Sequence, residues 1–293
     1  MNQFREVESS FKGLPFHMVG DGFRVSQYFP SGQDLLHRFS PFILLDYNAP
    51  YSIEPSNIRK GVGAHPHRGF ETVTLAYSGS VEHHDNKGNH GIIGPGDVQW
   101  MTAGSGVLHK EYHETTFAEQ GGILHMVQLW VNLPSQFKMT QSRYQSIKKS
   151  DMGEYVLENG DGKISVLAGT VKGVKGPAKT FSPMNIYHID LKEKSSITLQ
   201  EPTHYNTGFL VLKGSVKIND ERVYEEEEFI LFNNEPGDIL IESLSEDSLI
   251  LVLSGEPLNE PIALHGPFVM NTREEVIQAY EDYQNGQFGN FDF

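Results

Sequence analysis

Short segments in which apolar and polar residues alternate, separated by turn residues, make up most of this 293-residue chain. Phe70–Tyr77, Asp97–Met101 and His125–Val131 are examples, each rich in residues that favour strands. Asp85–Gly88 and Gly94–Asp97 are typical turn sequences between such segments. No regular alternation of strand and helix periods is present, so a parallel βαβ fold is not indicated. The pattern predicts an all-β protein built from β-sandwiches or barrels.

A polar connection separates two β-rich halves of the chain. It begins at Leu133-Pro-Ser and continues from Gln136 to Asp151, and a second β-rich region then runs from Gly153 to Ser254. We therefore expect an N-terminal domain over residues 1–134 and a C-terminal domain over residues 135–293.

The two halves contain a weak internal repeat. Thr74–Val81 and Phe209–Val216 superpose with an offset of 135 residues, and each reads as a strand, a Gly-Ser-Val turn and a second strand. The same offset carries His65 to Gln200 and His67 to Pro202. The second copy is thus expected to lack the histidine pair of the first.

The period changes near the C-terminus. Thr272 followed three residues later by Glu275 forms a capping-box pattern, which predicts the start of a helix. The apolar face expected for this short helix consists of Val276, Ile277, Tyr280 and Tyr283.

Composition narrows the class of protein. Hydrophobic residues make up 38% and charged residues 21% of the chain, which is typical of a globular protein. No apolar run reaches membrane-spanning length and the first residues have no signal-peptide core, so we expect a cytoplasmic protein without membrane association. The formal net charge of -15 disfavours direct nucleic-acid binding.

Two pairs of donor side chains could hold a metal ion. The chain has no cysteine, so His, Asp and Glu are its strong ligands. His65 alternates with His67, and His109 alternates with Glu111, so each pair can point to one face of a strand. Three imidazoles and one carboxylate suit a mononuclear transition metal such as zinc, iron, nickel or copper, with positions left for water or substrate.

Other histidines are expected to have different roles. We place His83, His84 and His90 at an exposed hairpin tip. His113 and His125 could orient metal ligands. Glu71, four residues after His67, could reach the metal, pair with Arg68 or face away.

These residues resemble the motifs of the cupin superfamily. The first cupin motif, His-x-His followed by Glu and then Gly, is matched by His65, His67, Glu71 and Gly79, with one extra residue before the Gly. In the second motif, Pro-x-Gly-x2-His-x3-Asn, the chain has Gly104 in place of Pro, then Gly106 and His109, and finally His113 in place of Asn.

The departures from the general motifs resemble the pirin family, in which the fourth ligand is the Glu two residues after the second-motif His. The resemblance spans nearly the whole chain and includes Phe42–Asp46, Gly96–Gly104, Leu129–Pro134 and Leu264–Phe268. It implies a bicupin with a metal-binding N-terminal barrel and a C-terminal barrel without metal. It also implies that His65, His67, His109 and Glu111 are the ligands, which makes Glu71 doubtful as one.

The resemblance further implies quercetin 2,3-dioxygenase activity, in which O2 opens the ring of a flavonol with loss of carbon monoxide. Glu111 would then be general base as well as ligand, and Fe(II) is the preferred cofactor, with Zn, Ni, Cu, Mn or Co as alternatives. Phe42, Trp100 and Met101 are candidates for the apolar walls of a substrate pocket.

Two other functions remain open at this stage. The first is a non-enzymatic protein whose iron redox state controls binding to a protein partner, as described for eukaryotic pirins. The second, which fits the motif departures less well, is a cupin isomerase or sugar-binding protein.

Overall fold

Antiparallel strands dominate the structure, as the alternating pattern predicts. The computed structural model describes residues 4–30, 33–158 and 160–291. The strands of the first half are β1 (Val7–Lys12), β2 (His17–Val19), β3 (Phe23–Phe29), β4 (Phe42–Ile53), β5 (Gly61–His67), β6 (Phe70–Ser78), β7 (Val81–Asp85), β8 (His90–Ile93), β9 (Val98–Thr102), β10 (Val107–His113), β11 (Gly122–Asn132) and β12 (Arg143–Ile147).

The second half continues in the same manner and carries the longest helix. Its strands are β13 (Gly153–Val156), β14 (Gly162–Ala168), β15 (Thr170–Val171), β16 (Val174–Lys175), β17 (Met184–Lys192), β18 (Ser196–Leu199), β19 (Asn206–Lys213), β20 (Val216–Ile218), β21 (Arg222–Tyr224), β22 (Glu228–Phe232), β23 (Ile239–Ser243), β24 (Asp247–Gly255), β25 (Ala263–His265) and β26 (Phe268–Met270). The α-helices are α1 (Gln33–Arg38), α2 (Thr115–Gln120) and α3 (Arg273–Gln284), and short 3-10 helices span Ser135–Phe137 and Lys149–Asp151. None of the helices in the described ranges is long and apolar enough to cross a membrane.

Contacts divide the chain into two compact units that both contain non-contiguous segments. The histidine unit comprises the described residues within Leu14–His37, Pro41–Lys149 and Leu258–Phe293. The apolar unit comprises those within Met1–Gly13, Arg38–Ser40 and Ser150–Pro257.

This division differs from the expected domains 1–134 and 135–293 at both ends of the chain. Strand β1 pairs with β22, with Ser10 opposite Ile230, so the first strand belongs to the apolar unit. Helix α3 lies in the histidine unit, although it follows the second β-rich region in sequence. Pairing between strands that are distant in sequence depends on long-range contacts, which a local pattern does not report.

Both units are built from a seven-stranded and a four-stranded antiparallel sheet. In the histidine unit the strand orders are β12-β9-β6-β11-β4-β3-β2 and β5-β10-β7-β8. In the apolar unit they are β1-β22-β19-β24-β17-β14-β13 and β18-β23-β20-β21. This is the double β-barrel arrangement that the sequence predicts.

The internal repeat is confirmed by the position of its turns. Strands β6 and β7 occupy the same places in the histidine unit as β19 and β20 do in the apolar unit. Gly79 and Gly214 connect these pairs, and both have a φ of 76°. A positive φ at this turn favours glycine, because a side chain would be strained there.

The interiors of the two units differ in chemistry. Leu199 precedes Gln200, the repeat counterpart of His65. It is 1% exposed and belongs to an apolar cluster with Phe209 and Ile241. The described residues of the apolar unit contain no group of three His, Asp or Glu side chains close enough to hold a metal ion.

Helix α3 begins as predicted, but its buried face is different from the expected one. Thr272 is the N-cap and forms the complete capping box with Glu275. Ile277, expected on the apolar face, is 49% exposed, whereas Asp282 is buried and accepts a hydrogen bond of 2.7 Å from Arg68. The guanidinium of Arg68 also donates to the backbone oxygen of Ser105 at 2.7 Å. This ion pair fixes the helix to the end of the strand that carries His67.

We expect Asp282→Ala to destabilise the histidine unit by roughly 3–5 kcal/mol, because it leaves the buried guanidinium of Arg68 without its charged partner. Glu281→Ala changes an exposed carboxylate on the same helical turn and is the matched control. Denaturant unfolding of both variants measures the effect. Equal unfolding midpoints for the two variants would contradict a structural role for the pair.

Candidate metal centre

The pairing of β5 with β10 brings the two predicted donor pairs together. His65 lies directly opposite His109 in this antiparallel ladder, and His67 lies opposite Val107. One extra residue on β5 between Val62 and His65 forms a β-bulge, since Glu111 pairs with Val62. Bulges of this kind locally change the direction of side chains and are common beside functional sites.

The imidazoles of His65, His67 and His109 converge in the interior of the histidine unit. Their ring centroids are separated by 4.8 Å for His65 and His67, 4.2 Å for His65 and His109, and 4.8 Å for His67 and His109. The Nδ1 atom of His65 is 2.8 Å from the oxygen of Gly63, and that of His67 is 3.4 Å from the oxygen of Pro267. These contacts leave Nε2 of each ring for another ligand, which is how metal-binding histidines are commonly oriented.

Two properties of the histidines fit a divalent metal. The Nε2 atom of His109 is buried and has no hydrogen-bond partner in the part of the chain that the structure describes. Burial, followed by the neighbouring histidines, holds the pKa values of His67 and His109 well below the ordinary value. Both rings are therefore neutral near pH 7, and a neutral imidazole is the form that binds metal.

Glu111 adds a carboxylate to the same interior. It lies on β10 two residues after His109, is buried, and shares the inward face with His109. Its Oε1 accepts a hydrogen bond of 3.2 Å from Nε2 of Gln99. The hydroxyl of Thr74 is 3.3 Å from the same oxygen and 2.7 Å from Oε1 of Gln128, and its single proton can serve only one of them.

Glu71 does not join these donors. It is three residues before Thr74 on β6, which places the two side chains on opposite faces of the strand. Its Oε1 accepts a hydrogen bond of 2.7 Å from Thr102 and lies 3.8 Å from the guanidinium of Arg143. Burial raises the pKa of the Glu71 carboxyl to about 7 in spite of these contacts. Of the three alternatives, the structure favours the one in which Glu71 faces away.

The expectation that His83 is exposed is wrong. Its side chain is fully buried, and its Nδ1 is 3.3 Å from Nδ1 of His109. Its Nε2 is 3.5 Å from the carboxylate of Asp85, which also accepts hydrogen bonds from backbone amides of the following turn. His83 lies opposite Glu111 in the β7–β10 ladder. The alternation of β7 could have indicated an inward His83, but the adjacent turn residues favoured exposure.

The remaining histidines lie apart from the three converging rings. His113 faces inward, where its Nε2 is 2.8 Å from the backbone oxygen of Gly22. His125 is 3.0 Å from the hydroxyl of Tyr47, and burial lowers its pKa to about 4. His90 is exposed, as expected, and His84 is half-buried.

A cavity of about 210 Å³ lies beside His65, His67 and Glu111. Its apolar walls are Val19, Phe23, Val25, Val62, Met126 and Trp130, and its other polar side chains are Asp46, Asn48 and Gln128. Of the expected wall residues, Phe42, Trp100 and Met101, none lines this cavity. Trp100 of β9 pairs with Val73 of β6, so the two side chains lie on the same face of the sheet. Thr74, the next residue on β6, points to the opposite face. A sequence pattern specifies alternation but not which face is inward.

Two β-barrel units, one of which brings three imidazoles together beside a cavity that Glu111 also lines, define a bicupin with a candidate centre for a divalent metal. Two family models match the chain: Pirin over residues 22–131 and the Pirin C-terminal cupin domain over residues 186–289. The chain belongs to the pirin family.

Similar proteins and a similar crystal structure agree with this assignment. A Pseudomonas aeruginosa protein, named provisionally as a quercetin 2,3-dioxygenase, is 48% identical over 93% of this chain and 94% of its own length. A pirin-like protein of Caulobacter vibrioides is 34% identical over 97% of this chain and 99% of its own. The crystal structure of quercetin 2,3-dioxygenase from Acinetobacter baumannii superposes with a TM-score of 0.93, at 45% identity, over 98% of this chain and 99% of that one.

The raised pKa of Glu71 predicts a pH-dependent contribution to stability. The folded chain keeps the proton up to about pH 7, whereas the unfolded carboxyl releases it near 4.5. The folded state binds more protons in this window, so the free energy of unfolding falls as pH rises from 4.5 to above 7. Glu71→Gln removes this slope, a difference of up to about 3 kcal/mol.

Denaturant unfolding of wild type and Glu71→Gln between about pH 4 and about pH 8 measures this contribution. Stability curves that run parallel over the whole range would show that the pKa of Glu71 does not change on folding.

Proposed function

We propose that this chain is a mononuclear metal dioxygenase that opens the ring of quercetin or a related flavonol with O2. The observation that carries the proposal is the convergence of His65, His67 and His109 in the interior, where His65, His67 and Glu111 line an apolar cavity. The activity in the names of the Pseudomonas and Acinetobacter relatives supports the substrate class. Fe(II) is our preferred metal, and Zn, Ni, Cu, Mn and Co are the alternatives.

In this proposal His65, His67, His109 and Glu111 hold the metal. The bound ion would supply Lewis acidity, which lowers the pKa of a substrate hydroxyl, and a centre for the reaction with O2. The neutral rings of His67 and His109 need not release a proton before they bind the ion.

Glu111 is our candidate for the general base. Its Oε1 is held by Gln99, whose own Oε1 accepts a hydrogen bond of 3.2 Å from Tyr144. This chain of contacts fixes the carboxylate at the cavity, where it could accept the proton of the flavonol 3-hydroxyl.

A second carboxyl lies in the same cavity and is the competing base. Burial raises the pKa of Asp46 to about 6, and Nε2 of Gln27 donates a hydrogen bond of 3.3 Å to it. Glu111 is preferred because it groups with His83 and His109, one of the three converging histidines, whereas Asp46 belongs to no such group among the described residues.

The apolar lining of the cavity supports an aromatic substrate. Aliphatic and aromatic side chains cover most of its wall, and Asp46, Asn48 and Gln128 are its polar positions away from the histidines. Asn48 is 1% exposed, and neither polar atom of its side chain has a hydrogen-bond partner among the described residues. We propose that a substrate hydroxyl satisfies this amide, because a buried polar group without a partner is otherwise costly.

Replacement of the two buried carboxylates tests the proposed centre. We expect Glu111→Gln to weaken metal binding at least tenfold, on the order of the losses seen even for residues that only orient ligands. It should also abolish carbon monoxide release from quercetin, whereas Glu71→Gln retains both. Elemental analysis and product assays measure these effects. Metal loss in Glu71→Gln, or no metal in the wild type, would contradict the ligand assignment. Full turnover by Glu111→Gln would show that Glu111 is not the general base.

The role of Asn48 predicts an effect on substrate binding. Asn48→Ala should raise KM for quercetin about tenfold, equivalent to one lost hydrogen bond of about 1.4 kcal/mol, with little change in thermal midpoint. Asn57→Ala, an exposed asparagine of the same unit, is the control. An unchanged KM in Asn48→Ala would show that the substrate does not contact this amide.

A further inference from the structure

A second group of donors lies on the outward face of the β7–β8 hairpin. Glu82 and His84 alternate on β7, and His90 lies directly opposite His84 on β8. The Nε2 atoms of His84 and His90 lie 3.0 and 2.9 Å from Oε1 of Glu82. One ligand atom from each of these residues thus lies within 4.8 Å of the others.

This group is separate from the donors in the interior. His83, between Glu82 and His84 in sequence, is fully buried and contacts His109. Because successive side chains of a strand point to opposite faces, Glu82 and His84 lie on the other side of the same sheet. His90 is half exposed, with 50% of its side chain accessible to solvent.

The positions of all three side chains are fixed by neighbours. The guanidinium of Arg59 contacts Oε2 of Glu82, and it also donates to the backbone oxygen of His113 at 3.2 Å. This leaves Oε1 directed at the two imidazoles. The rings of His84 and His90 stack with centroids 4.2 Å apart and planes inclined by 21°. A preformed set of this kind loses little conformational freedom when it binds an ion.

We propose that Glu82, His84 and His90 form a second metal site, which takes a divalent transition ion such as Zn²⁺, Ni²⁺ or Cu²⁺. Two imidazoles and one carboxylate match the preferences of these ions and leave at least one position for water. The positive charges of Arg59 and of Lys110, which lies opposite His84 in the ladder, oppose a cation. The affinity of this site is therefore lower than that of the interior centre, so it fills second. It does not depend on the proposed dioxygenase activity.

Equilibrium dialysis of the full-length, tag-free, metal-stripped chain against Zn²⁺, followed by elemental analysis, tests the proposal. We expect two bound ions in the wild type, one in the double variant His84→Ala, His90→Ala, and one in His67→Ala, which retains the hairpin group. His204→Ala is the control, because His204 is an exposed histidine that also faces a carboxylate, that of Glu256 at 3.7 Å.

Glu82→Gln is a second variant of the hairpin site, which keeps the size of the side chain and should also bind one ion. A single ion in the wild type, or two ions in the double variant, would overturn the proposal. The two sites are distinguished by their variants. His67→Ala removes the ion of the interior centre, and the variants of Glu82, His84 and His90 remove the ion of the hairpin site.

Discussion

The register between β5 and β10 is the constraint on which the centre depends. His65 and His109 lie opposite each other in this ladder, and their ring centroids are 4.2 Å apart. The alternation of side chains along each strand adds His67 and Glu111 to the same interior. A shift of one residue in either strand would turn its donors to the opposite face. The ion pair of Arg68 with Asp282 and the contact of His67 with the oxygen of Pro267 link this ladder to the C-terminal segment. The last part of the chain thereby contributes to the order of the site.

The two units show how one architecture can hold two kinds of interior. Each has a seven-stranded and a four-stranded sheet, and the turns at Gly79 and Gly214 are alike. Apolar side chains such as Leu199 and Ile241 form a close-packed cluster inside the apolar unit. In the histidine unit the equivalent space contains imidazoles whose burial disfavours their charged forms. Neutral, converging rings are unfavourable as packing but suitable for a metal ion.

The sequence was sufficient for the fold class and for naming the three histidines that the structure brings together. Strand alternation reports short-range geometry, and it led to an all-β protein in which His65 pairs with His67 and His109 pairs with Glu111 on single strand faces. The resemblance to the cupin motifs led to the double barrel. Long-range contacts were not accessible in this way. The pairing of β1 with β22, the place of α3 in the histidine unit and the burial of Asp282 all depend on partners distant in sequence. His83 was misplaced because the turn residues beside it favoured exposure, although its strand turns it inward towards His109.

Anomalous diffraction from a crystal of the metal-loaded protein tests the central claim most directly. His109 is shared by two groups of donors, one with His65 and His67 and the other with His83 and Glu111, so the position of the ion discriminates between them. The account predicts an interior peak about 2.0–2.2 Å from Nε2 of His65, His67 and His109 and from a carboxylate oxygen of Glu111. An interior ion bound by His83 or by Glu71 in place of these residues would contradict it.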